Sequence, residues 1–208
     1  MYSLIIDTAF ESCQAGLWLD GNCLVSKSVQ GGGKHDVLLA PMVQEIFKSN
    51  AVQVKGLKEI IVTTGPGRFT GLRVGIAFAR GLALMHQTPL KGVLTADALR
   101  WQMENYHKQK NAAIVVAVKR GESFVQKIAP VFAPIERVMD TDFAACFPAG
   151  EVTHVAGMLS PDIQRILSDA THVIPVPELT EPSLEAIYAA SETQKPEKSV
   201  LVRPYYAI

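Results

Sequence analysis

The feature that most constrains this chain is the stretch from Gly65 to Met85, GPGRFTGLRVGIAFARGLALM. A β-branched run from Glu59 to Thr64 leads into a glycine-rich turn, and no proline follows that turn until Pro89. This order predicts a strand, a tight turn and then a helix with Thr70 as its N-cap. At ~100° per residue the helix places Val74, Phe78, Leu82 and Met85 on one side. Leu72, Ile76 and Ala83 fall on the opposite side, bordered by Arg73 and Arg80 at i and i+7. A helix laid once against its own sheet needs a single apolar stripe, and this one is apolar almost all round. Gly71, Gly75 and Ala79 recur at i, i+4 and i+8, a spacing that admits another backbone. Two readings stay open. Either a further helix or subunit covers the second side, or this is the inner helix of a layered α/β domain.

A chain of 208 residues suffices for one large domain or two small ones. Charged residues make up 19%, below the usual ~25%, so a sizeable core and some interface are expected. Lysine plus arginine, 20, equals aspartate plus glutamate, 20, and no overall field draws nucleic acid to the chain alone. Cys13, Cys23 and Cys146 are odd in number and not spaced as metal ligands, a pattern that suits reduced thiols. The opening MYSLIIDTAF has no basic region, and Asp7 interrupts its apolar run. Neither a signal peptide nor a membrane span is expected, which makes the cytoplasm the simple location.

In chain order, Ser3–Asp7, Cys13–Leu19 and Cys23–Val29 read as three strands, the last two joined by an Asp20-Gly21-Asn22 turn. Gly31-Gly32-Gly33 breaks the chain. His35–Ser49 reads as a helix that Pro41 should kink or interrupt. After the helix that follows Gly65, a strand at Leu90–Leu94 and a helix at Ala96–His107 complete a βββαβα order, expected to give a mixed sheet covered by helices. Ala112–Val118 and Ser123–Ile128 read as a hairpin about Lys119-Arg120-Gly121-Glu122. Eight of the twelve prolines lie beyond Pro130. Strands at Val152–Ala156 and His172–Val176 and helices at Pro161–Ser168 and Pro182–Ser191 are expected there. Two lobes follow, 1–108 and a smaller 109–208, with no internal repeat visible in the residues.

Few groups suggest chemistry. Asp7-Thr8 ends the first strand, where a carboxylate serves either a metal-phosphate site or a turn cap. Gly65, Gly67, Arg68 and Thr70 make a candidate anion-binding turn at a helix N-terminus, or else a turn for close packing. It lacks the Gly-Lys-Ser/Thr ending of a P-loop. His35, His86, His107, His154 and His172 form no metal-binding pair, and no serine lies in a G-x-S-x-G elbow.

GPGRFTGLRVGIAFARGLAL resembles the GPGSFTGLRIG-type signature of the bacterial TsaB (YeaZ) family. SLIIDTAFESCQAGL, His35 with Leu38-Leu39-Ala40-Pro41, and Pro89-Leu90-Lys91-Gly92-Val93 extend the resemblance over about residues 3–100. Farther on it rests on overall length and a closing Arg203-Pro204-Tyr205-Tyr206. The resemblance implies an actin-like ATPase (ASKHA) fold of two lobes, the second reduced. It implies a non-catalytic subunit in the making of N6-threonylcarbamoyladenosine on tRNAs that read codons beginning with A. Its implied main partner is the TsaD transferase, joined by the small ATPase TsaE, with a homodimer formed through the same patch when TsaD is absent. No cofactor of its own is expected: ATP and metal belong to the partner subunits, and tRNA is met through the complex.

Carried onto this chain, the partner-binding helices are His35–Ser49 and Thr70–Met85. The candidate contacts are His35, Leu38, Leu39, Met42, Ile46, Leu72, Arg73, Ile76, Ala77 and Arg80. Where the catalytic relative carries H-x-x-x-H, Thr95 and Leu99 stand, and Ala117-Val118-Lys119 replaces an Asp-Ala-Arg run. Arg68 and Asp36 each stand in place of a serine. The opposed reading is an enzyme of the same fold, a small-molecule phosphotransferase or a metal-dependent peptidase.

Overall fold

The computed structural model describes residues 1–108, 111–119, 121–129, 133–147, 149–196 and 202–205. They fall into two compact units, Met1–Ala98 together with Ser183–Tyr205, and Leu99–Pro182. Arg120, in the expected second hairpin turn, and Tyr206 of the closing motif lie outside the described residues.

In the first unit, β1 (Tyr2–Asp7), β2 (Ser12–Leu19) and β3 (Asn22–Gln30) form an antiparallel meander. Asp20 and Gly21 turn its second hairpin with φ of 49° and 87°. β4 (Leu57–Gly65) and β5 (Leu90–Leu94) join in parallel, giving the order β3-β2-β1-β4-β5. Parallel neighbours require crossovers. α1 (His35–Ser49) leads from β3 to β4, and α2 (Phe69–His86) from β4 to β5.

Leu4, Ile5 and Ile6 of β1 are all fully buried, as a strand covered on both faces demands. Alternation along the strand turns Ile6 toward α2 and Ile5 toward α5 (Leu184–Ser191). A Cβ on Gly75 of α2 would lie 3.7 Å from Ile6 Cγ2, and one on Gly16, the partner of Ile5, 3.0 Å from Leu184 Cδ1. Trp18 stacks on Tyr188 of α5 with centroids 5.9 Å apart. α1 runs through Pro41 without the interruption that was the stronger of the two expected effects. The carbonyl that loses its donor there is that of Val37, an exposed residue, so water can satisfy it.

The division expected at residue 108 is revised. α5 packs on β1, β4 and β5, and the Tyr205 N–H donates to the Thr64 carbonyl at 2.7 Å. Residues 183–205 therefore return to the first unit, because Leu184 and Ile187 close the face of its sheet that α2 leaves open.

The second unit repeats the same plan. β6 (Ala112–Lys119), β7 (Glu122–Ala129) and β8 (Glu136–Met139) are antiparallel. β9 (Thr153–Ala156) and β10 (Val173–Pro175) add in parallel, giving β10-β9-β6-β7-β8. Read from the first strand of each unit, the two sheets share one strand order. The sequence shows no such repeat, because topology is kept by patterning and not by residue identity. A 3-10 turn, Asp140–Cys146, stands where the first unit has α1, and α4 (Pro161–Asp169) where it has α2. Phe143 and Phe147, with centroids 5.1 Å apart, fill the core beside Val115, Val125, Val155 and Ile163. Between the units' sequences, α3 (Thr95–Gln102) ends in a π turn, Met103–His107, where one longer helix was expected.

One buried ion pair lies under α5, on the Ile5 side of the first sheet. Glu59, 2% exposed, accepts from Ser3 Oγ at 3.0 Å and pairs with Lys91 Nζ at 3.0 Å. Burial opposes its ionisation, but the hydrogen bonds from Lys91 and Ser3 and the charges of Lys91 and Lys58 outweigh that and hold the carboxyl below its usual value. A carboxylate depressed on folding adds stability above its unfolded pKa and loses it as pH falls through the folded one. Unfolding by urea between about pH 6 and pH 3 should show stability falling through and below the ordinary carboxylate range. Glu59→Gln should flatten that fall and cost about 3 kcal/mol near neutrality, by leaving Lys91 buried and unpaired.

Candidate functional site

The glycine turn and the β1–β2 turn meet at the N-terminus of α2. Asp7, fully buried, accepts at Oδ1 from the Ala9 N–H at 3.0 Å and from Thr63 Oγ1 at 2.5 Å. These bonds give Asp7 the work of a turn cap two residues ahead of its own N–H partner. Thr8 Oγ1 donates to the Gly71 carbonyl at 2.8 Å. A Cβ at Gly71 would stand 2.0 Å from the Thr8 carbonyl oxygen, and one at Gly75 2.3 Å from Thr8 Oγ1. The backbone that the glycine spacing admits is therefore the chain's own β1–β2 turn.

The candidate anion turn is filled in the same way. A Cβ on Gly67 would meet the Ala9 carbonyl oxygen at 2.6 Å, the Arg68 N–H donates to that oxygen at 2.7 Å, and the Arg68 guanidinium pairs with Glu11. Gly65 is buried with φ of 109°, where only glycine is unstrained. Thr70 is not the N-cap: α2 starts at Phe69, preceded by Arg68 in extended conformation with no side-chain cap, and Thr70 is exposed within the first turn. Docking against Ala9 sets the start of the helix two residues earlier than the capping preference suggests.

The same contact sets the rotation of α2. Gly71, Leu72, Gly75, Ile76, Ala79 and Ala83 face inward, with Leu72 and Ile76 each 2% exposed. Sequence periodicity separates the two sides of the helix correctly and leaves open which side meets the sheet. The partner-facing assignment of Leu72 and Ile76 is corrected: the glycines that admit Thr8 lie beside them, so they close on the sheet. His35, Leu39, Met42 and Ile46 of α1 are likewise buried in the chain's own core. Leu38 and Arg80 are half-buried, and Arg73 and Ala77 are exposed.

What faces outward instead is Thr70, Ala77, Gly81, Leu84 and Met85, with half-buried Val74 and Phe78 beside them, an arc of roughly 120° at ~100° per residue. It holds no charged residue. Leu84 is 59% and Met85 74% exposed, and a Cβ on Gly81 would meet nothing within 4 Å. Phe69, 51% exposed, adds apolar surface at the start of the same helix. A contiguous exposed apolar face of this kind marks an interaction site. Its signal in the sequence is the Gly71/Gly75 pair, which names the buried side and so the free one.

Reactive groups are sparse around it. The Cys13 thiol is pushed up to about 11 by burial and by the Asp7 charge, which keeps it protonated near neutrality. Thr95 and Leu99, at the positions where a metal pair was sought, are fully buried. Among the described residues no group of three or more histidine, cysteine, aspartate or glutamate side chains could hold a metal ion, and no helix is long and apolar enough to cross a membrane.

Comparison with known proteins follows this geometry. A family model described as TsaD, tRNA N6-adenosine threonylcarbamoyltransferase, matches residues 30–179. The chain is 38% identical over 95 residues to the tRNA threonylcarbamoyladenosine biosynthesis protein TsaB of Escherichia coli K12, covering 46% of this chain and 41% of that protein. It spans about half the length of the curated relatives it matches. A Pseudomonas aeruginosa crystal structure, of a protein with similarity to the peptidase YeaZ, superposes with a TM-score of 0.79 at 18% identity, over 100% of this chain and 99% of that one. A Bacteroides thetaiotaomicron protein with an actin-like ATPase fold superposes at 0.51 and 9% identity, over 90% and 95% of the two chains. These two structures bear on the fold alone, which is the expected actin-like ATPase fold with two mixed sheets covered by helices.

Neighbouring positions on α2 should separate sharply in stability. Gly71→Ala drives a Cβ into backbone and should cost about 3 kcal/mol or more. Ile76→Asp buries an unpaired carboxylate and should cost at least as much. Ala77→Asp, on the exposed side, should stay within about 0.5 kcal/mol of the parent. Urea titrations of the three variants measure this directly.

Proposed function

The chain belongs to the TsaB (YeaZ) family, within the wider family of TsaD-type threonylcarbamoyltransferases, and from that premise we propose that it is a non-catalytic docking subunit. Its complex is the one that forms N6-threonylcarbamoyladenosine on tRNAs reading codons beginning with A. The observation that carries this reading is the uncharged outward side of α2, from Thr70 to Met85. A side chain such as Met85 left mostly in water gains free energy when a partner covers it, at about 25 cal/mol per Å² of apolar area.

The partner is a TsaD-type transferase, which this chain holds in a competent state. TsaE joins that pair, ATP and metal sit on the partner subunits, and tRNA is met through the assembly in the cytoplasm. In the transferase's absence the same face pairs two copies of this chain. Enzyme readings gain less support from the site. The strand-end carboxylate of Asp7 is engaged by Ala9 and Thr63, and the Cys13 thiol is held protonated.

The test uses a variant that leaves the fold intact. Ala77→Asp should fail to co-purify with the TsaD-type transferase and should weaken association by about 100-fold or more, as a carboxylate desolvated at an apolar interface costs several kcal/mol. Binding equal to that of the parent would remove the α2 face as the docking surface. Reconstituted tRNA modification should fall in step with binding.

A further inference from the structure

The uncharged side of α2 has a charged border on one flank only. Arg73 and Arg80 stand roughly 80–100° round the helix from the centre of that side, seven residues apart and hence ~10.5 Å along the axis. Arg73 is exposed and lies 3.9 Å over the Phe69 ring, and Arg80 is half-buried. Among the described residues no carboxylate pairs with either. Among the described cations of this unit, Lys27, Arg68 and Lys91 pair with Glu45, Glu11 and Glu59, whereas Lys34, Lys48 and Lys55, like the two arginines, do not. The segment supplies no acid of its own, since residues 60–96 contain neither aspartate nor glutamate. The opposite flank, Val74, Phe78 and Leu82, is uncharged.

We infer that this face is matched to a partner helix whose apolar side is bordered by carboxylates, and that Arg73 and Arg80 select such a partner over a second copy of this chain. The inference rests on the docking reading above and adds the chemistry of what docks. Two arginines left without carboxylates beside an apolar strip attract an acid-edged partner and speed its encounter. The same arginines disfavour self-pairing. In an antiparallel pair of α2 helices crossing at Ala77, a two-fold axis brings equal flanks together, as isologous contacts require. Arg73 of one copy then stands level with Arg80 of the other, to within about one residue's rise. That juxtaposition of like charges acts as a selection against the wrong partner.

The experiment measures association kinetics of the full chain with the purified TsaD-type transferase, in low and high salt, alongside sedimentation of the chain alone. For the parent, the association rate should fall roughly tenfold as ionic strength rises from about 0.05 to 0.5 M, where screening shortens to a few ångströms. Arg73→Glu with Arg80→Glu should lower the low-salt rate roughly tenfold and abolish the salt dependence, while Arg73→Lys with Arg80→Lys should keep both. The parent and the charge-reversed chain, mixed, should pair with each other more tightly than either pairs with itself. Should the double variant not fold, Arg73→Glu alone, at an exposed position, carries the same readout at about half the logarithmic effect. An unchanged rate and salt slope in the reversed chain, with Ala77→Asp still blocking binding, overturns the charge selection and leaves the docking reading standing. Normal binding by both variants overturns both. Self-pairing of the parent tighter than its binding to the transferase makes a second copy the occupant and likewise overturns the inference.

Discussion

The contact of Thr8 with the N-terminal half of α2 is the constraint on which the rest depends. The Thr8 hydroxyl donates to the Gly71 carbonyl, and its carbonyl and hydroxyl occupy the space that side chains at Gly71 and Gly75 would fill. A helix so clamped has a single rotation about its axis. Leu72, Ile76, Ala79 and Ala83 go to the sheet, and Ala77, Gly81, Leu84 and Met85 go to water. The clamp also accounts for the quiet chemistry of the turn. Asp7 caps it, Ala9 accepts from Arg68, and Arg68 pairs with Glu11, so these groups are engaged with one another inside the chain.

Much of this was legible in the residues. The order βββαβα, the short turn at Asp20-Gly21 and the continuous apolar run of β1 follow from pattern and turn chemistry. The two apolar sides of α2 also follow from periodicity. Periodicity alone cannot tell which of two apolar sides is buried, because both are made of similar residues. The Gly71/Gly75 pair marks the buried side only once its close neighbour is known, and that neighbour is Thr8, sixty-three places away from Gly71 in the chain. The return of α5 to the first sheet was hidden for a related reason: Leu184–Ser191 is apolar enough to cover either sheet. The shared strand order of the two sheets left no trace in residue identities, since strand pairing is a backbone property that many sequences satisfy.

The family's signature and the clamp are the same residues seen twice. GPGRFTGLRVG supplies Gly67, Gly71 and Gly75, the three positions where the β1–β2 turn leaves no room for a Cβ. The motif therefore reads as a device for seating a helix closely against its own sheet. Closeness on one side leaves the other side high and bare, with Leu84 and Met85 largely in solvent. Packing and presentation are two results of one contact.

Thiol accessibility at position 77, in an Ala77→Cys chain with the exposed Cys23 replaced by serine, tests this account most directly. With the protein alone, diluted until sedimentation shows a single copy, the new thiol should react at close to the rate of a free thiol, while buried Cys13 stays protected until the chain unfolds. On addition of the TsaD-type transferase, labelling at position 77 should slow by at least an order of magnitude. Slow labelling of the single-copy chain, or an unchanged rate in the presence of the transferase, would contradict it.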